Sequence, residues 1–140
     1  MSGSDFAEAL PARNGRNNYE PGDVLVMARD GTQVEKTSEP YSRRLVGVHS
    51  TRPGVLGADK GGEIRVDPEE VPIAVLGIVP TKVIGENGPL EVGDFLVTSP
   101  TPGYAMKGTD PERLPGATLG KALEPMSEDV GVVRVLVSLR

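Results

Sequence analysis

EPGDVLV at residues 20–26 returns as EVGDFLV at 91–97, an offset of 71 residues, and this echo decides the fold. Each copy places Gly and then Asp directly before a short run of Val, Leu or Phe. Gly tolerates backbone torsions that other residues resist, and an Asp carboxylate caps N–H groups that a turn leaves open. Gly22-Asp23 and Gly93-Asp94 therefore read as turns that feed strands. Downstream of each comes an apolar run containing a Gly, LVGVHS at 45–50 and TLGKAL at 118–123. The expected architecture is all-β, a compact barrel-like or sandwich module of short strands. It comprises an N-terminal arm or linker at 1–19 and one β domain at 20–140, with related units at 20–50 and 91–123.

Working outward, VLVMA at 24–28 is a strand closed by Asp30-Gly31, a tight-turn pair, with TQVEKT as the returning strand. VPIAVLGIVPTKVIG at 71–85 is the longest β-branched run, and its internal Pro residues predict an edge, a bulge or a bend at Pro80. FLVTS at 95–99 is another strand, and SPTPGYAMKG at 99–108 reads as a rigid excursion turning at Gly103. Residues 50–70 form a Gly-rich surface insertion, with 63–66 as a minor strand. Asp110 to Leu114 is the best place for a helical turn, with an Asp cap before Pro. The closing VVRVLVSL alternates Val133, Val135 and Val137 against Arg134, Leu136 and Ser138, so it must be paired on both sides or covered.

Composition agrees with this reading and removes several alternatives. The 140 residues include 18 Gly and 13 Pro, which leaves no room for a helical bundle. Two Phe, three Tyr and no Trp require a core of aliphatic residues. The formal charge of −5, with Arg43-Arg44 as the densest basic cluster, argues against nucleic acid as a partner. No apolar run is long enough for membrane insertion and no signal-peptide pattern stands at the N-terminus. The absence of Cys fits a reducing compartment or an exterior location reached within a larger particle.

Residues suited to chemistry are few. His49 is the single histidine, which excludes a His-rich zinc site or a His-Cys pair within one chain, so no metal and no cofactor is expected. Its position at a strand end suggests local hydrogen bonding, with a general base or contact with a ligand or partner as the alternatives. Ser50, Ser99 and Ser127 need an activating base, and Lys107 lies eight residues beyond Ser99. Asp5 and Glu8 form a close acidic pair beside Ser4 that could assist an acyl shift at its hydroxyl, with a disordered acidic N-terminus as the alternative. The Gly-rich 54–62 stretch lacks the Lys-Ser/Thr ending of a phosphate loop. Met27, Met106 and Met126 read as packing residues.

The order SDFAE, EPGDVLV, RRLVGVHSTRPG, VPIAVLGIVPTKV, GPLEVGDFLVTSPTPGYAMKG, LGKALEP and VLVSL covers nearly the whole chain. It resembles the C-terminal region that follows β-helical or fibrous segments in bacterial surface proteins and in phage tailspikes and neck appendages. That region is related to the peptidase G2 intramolecular-chaperone domain. The resemblance implies a homotrimeric head at the end of a fibre, joined to an upstream fibrous or β-helical segment, on a cell surface, outside the cell or on a phage-like particle. A cytoplasmic location stays open. It also implies Ser4 as the nucleophile-like residue of a self-cleavage, with Asp5 and Glu8 assisting. The departure is that Gly3-Ser4 replaces the acidic residue and Ser of the phage members.

Three functions follow as expectations. The first is a structural and assembly module, trimeric through its remaining apolar strand surface. The second is recognition of a glycan, protein or small ligand through the loops at 50–65 and 99–108, with Tyr104, Tyr41, His49 and Lys107 as the binding candidates. The third is self-cleavage near Ser4. Gly22, Asp23, Gly93, Asp94 and Gly103 are assigned to structural turns.

Overall fold

The fold is organised around one strand. In a computed structural model, which describes residues 5–50, 55–56 and 66–140, the β-branched run forms a continuous 15-residue strand, β6 (Glu70–Ile84). Around it stand β1 (Asp5–Pro11), β2 (Val24–Met27), β3 (Val34–Lys36), β4 (Leu45–His49), β5 (Val55–Leu56), β7 (Phe95–Thr98), β8 (Ala105–Lys107), β9 (Gly120–Ala122) and β10 (Val130–Ser138). The chain is all-β among the described residues, apart from a 3-10 turn at Arg16–Asn18.

β6 serves two closed rings. Its C-terminal part pairs with β10, and the circuit runs β10–β9–β7–β8 and returns to β6 through the parallel pair Val83 and Ala105. Its N-terminal part pairs with β1 on one side and β4 on the other, and β4–β2–β3 continues until Val34 meets Ala12 in a parallel bridge just beyond β1. Closure removes free edges, which explains how strands of three to five residues persist here.

The pairings in the two rings correspond residue for residue. Leu25 pairs with Lys36 and Gly47, while Leu96 pairs with Lys107 and Gly120. The β2–β3 turn is closed by Ala28 N–H donating to Gln33 O, and the β7–β8 turn by Ser99 N–H donating to Tyr104 O. Period-two alternation sends Leu25, Val34, Val71 and Ile73 into the first ring. Leu96, Ala105, Val133 and Val135 fill the second.

Several elements differ from the sequence expectation. β6 is central rather than an edge, and its Pro residues are tolerated for a geometric reason. Lys82 N–H donates to Gly22 O, so the nitrogen of Pro80, two residues earlier, faces the same side, in the gap between the β4 and β8 pairings where no ladder bond is lost. Residues 99–108 are a turn followed by strand β8 rather than one excursion. Asp110 to Leu114 is a hydrogen-bonded turn, with Arg113 N–H donating to Asp110 O, and the Asp110 carboxylate caps Glu112 N–H as a helix cap would. Most of the 50–70 insertion, including 63–65, lies outside the described residues.

Candidate functional site

The two Gly-Asp turns share one construction. Gly22 and Gly93 have φ of +92° and +94°, the left-handed region that Gly occupies without strain. Asp23 Oδ2 accepts from Glu20 N–H at 2.8 Å, and Asp94 Oδ2 accepts from Glu91 N–H at 2.8 Å. Their surroundings differ. Asp23 is buried and its Oδ1 takes Lys82 Nζ at 2.8 Å, with Lys36 at 3.8 Å from Oδ2. Asp94 is partly exposed and has Lys107 at 3.5 Å. Burial alone would push the Lys82 ammonium down, but hydrogen bonds to Asp23 and Glu20 outweigh it and raise its pKa.

The binding candidates are spread across these joints. The Tyr41 hydroxyl accepts from the Thr109 and Asp110 N–H groups at 3.0 and 3.1 Å, and the Arg113 guanidinium lies 4.3 Å from its ring centroid. Tyr104 faces Lys82 Nζ at 5.7 Å instead. Both rings thus join segments of this chain to one another. His49 is buried with its Nδ1 lacking a hydrogen-bond partner among the described residues, and desolvation lowers its pKa against a hydrogen bond to the Glu20 backbone that raises it. Ser99 Oγ donates to Tyr104 O at 2.7 Å while Lys107 engages Asp94, so each is occupied elsewhere. Gly103 sits against Asp23, where a Cβ would come within 2.7 Å of Oδ1. Ser4 lies outside the described residues, and Glu8 is in β1 opposite Ile73.

The feature that stands out is a row of outward-facing residues that occurs once on each ring. On the first ring Ala7, Ala74, Val48 and Val24 lie side by side across β1, β6, β4 and β2, and all four have no exposed surface. The last three pack in one cluster with the second ring's core. At the corresponding places on the second ring stand Ile78, Leu136, Lys121 and Phe95, across β6, β10, β9 and β7. This row is open: Ile78, Leu136 and Phe95 are 39%, 40% and 39% exposed, and Lys121 Nζ lies 5.7 Å from the Phe95 ring. Leu76 extends the apolar surface along β6, and a shallow hollow of about 90 Å³ lies beside Phe95, Leu136 and Gly120.

No family model and no curated protein matches the chain. A solved phage structure is similar to it. The crystal structure of the N base of head fibre gp8.5 in bacteriophage phi29 is 20% identical, with 96% of this chain and 90% of that one covered and a TM-score of 0.48.

Sequence reasoning found both Gly-Asp turns but not the open row. Leu136 was visible as the outward member of the closing strand. Phe95 and Ile78 carried no signal, because each lies in an apolar run that reads equally well as buried.

Proposed function

We propose that this chain is a structural module that self-associates into a homotrimer within a fibrous or surface-borne assembly. The observation that carries this reading is the open apolar row of the second ring. Ile78, Leu136 and Phe95 stay 39–40% exposed around Lys121, and large apolar side chains grouped on one exposed face mark an association site. The resemblance of the sequence motifs to C-terminal regions of bacterial and phage fibrous proteins supports the same reading. Tyr41, Ser99 and Lys107 are engaged within the chain, where they brace its turns. The mechanism is mechanical: two rigid rings hold an apolar face in fixed orientation, and burying that face against neighbours aligns the chains.

Molar mass in solution, measured by light scattering over a range of concentrations, tests the proposal. Three times the mass of one chain is the expected result. A single-chain mass at the highest soluble concentration would overturn it.

A further inference from the structure

From the two rows we infer that the open face of the second ring is covered by the first ring of another copy of this chain, head to tail, in the way the second ring covers the first within one chain. The inference rests on the self-association proposed above and names its surfaces. The internal contact supplies the template. The first ring's row packs on the second ring's core, and at its Val24 end the β7–β8 turn docks, with Gly103 O accepting from Val24 N–H at 2.8 Å while Gly103 N–H donates to Thr37 O at 3.0 Å. In the first ring the place of Gly103 is taken by Thr32, two residues before Val34 as Gly103 is two before Ala105, each of which makes its ring's closing parallel pair. Thr32 and its neighbours Asp30 and Gly31 are exposed.

A second copy approaching with this turn would bring Thr32 to Phe95, the counterpart of Val24. Asp30 would arrive on a face that carries Lys121 and Arg140, so the charges are complementary. The larger side chains of the second row suit an interface between separate chains, which lacks the continuous strand holding the rings together internally. Such a contact is heterologous, and heterologous contacts close into rings when the rotation permits. With three chains, the closed form is a circle in which first and second rings alternate.

The chain has no cysteine, which makes disulfide trapping clean. The double variant Thr32→Cys with Phe95→Cys, oxidised at working concentration, should give covalent multimers on a non-reducing gel, while either single variant gives none. In parallel, Leu136→Glu and Leu136→Ser should each reduce the mass by light scattering to that of one chain with cooperative thermal unfolding retained. If the parent is multimeric but both surface variants keep its mass, or if Phe95→Cys alone crosslinks as fully as the double variant, the head-to-tail contact is wrong and self-association stands. If the parent has the mass of one chain, both fail.

Discussion

Lys82 Nζ is 2.8 Å from Asp23 Oδ1, joining the long strand to the first Gly-Asp turn with a carboxylate that is 1% exposed. Removing one partner of a buried pair leaves the other charge uncompensated. Lys82→Met should therefore cost about 2–3 kcal/mol in denaturant unfolding, with Lys36 limiting the loss. The corresponding pair, Lys107 and Asp94, is more exposed and 3.5 Å apart, so Lys107→Met should cost at most about 1 kcal/mol. Equal losses in the two variants would contradict the difference in burial.

The same lysine sets an alkaline limit. Its folded pKa is raised, so its contribution to stability is present below the usual lysine range and is lost as pH rises through the folded value. The parent should lose stability above about pH 10.4. The Lys82→Met variant should show a flatter decline there, read from unfolding free energy at a series of pH values.

His49 acts at the other end of the scale. Desolvation favours its neutral form, so the folded pKa lies below the unfolded one and stability is fully present above the unfolded value, near pH 6.5. Between those two values the unfolded chain binds the extra proton, and stability should fall with falling pH by up to about 1.4 kcal/mol per pH unit. His49→Leu should remove that slope just below pH 6.5. An unchanged slope would assign it to other groups.

Gly47 and Gly120 occupy corresponding places where neighbouring backbone comes too close for any side chain. A Cβ at Gly47 would collide with the Ala74 carbonyl, and one at Gly120 with the Leu136 carbonyl. Gly47→Ala and Gly120→Ala should each lose about 3 kcal/mol or more, since the obstructing atoms are backbone and cannot rotate away. Gly31, with φ +75° and open space around it, serves as the control, and Gly31→Ala should lose only about 1–2 kcal/mol. Thermal unfolding of the three variants gives the comparison.

Tyr41 holds a left-handed conformation at φ +53° while its hydroxyl accepts two N–H groups from the 109–110 segment. Tyr41→Phe keeps the ring beneath Arg113 but removes the acceptor, and water can reach part of what is left. A loss of about 1 kcal/mol is expected. Amide exchange at Thr109 and Asp110 should quicken in the variant while exchange at Leu96 stays unchanged.

The turns were legible because their chemistry is local. Gly22 and Gly93 need φ above zero, and Asp23 and Asp94 bond to an N–H three residues back, so the motif carries its own structure wherever it stands. The alternation of Val133, Val135 and Val137 was legible for the same reason. The role of β6 was not, because two Pro residues in a strand ordinarily indicate an edge. Only the gap between β4 and β8 makes Pro80 acceptable at the centre.

By itself, the sequence determined an all-β chain with two matching strand entries, an aliphatic core and no room for long helices. The tertiary structure decided which outward-facing apolar residues are covered. Val24 and Phe95 follow the same Gly-Asp turn and face outward from matching strands, yet one is fully buried and the other is open. Alternation with period two tells inside from outside within a ring. It cannot tell whether another ring lies against that outside, since this depends on contacts between strands far apart in sequence.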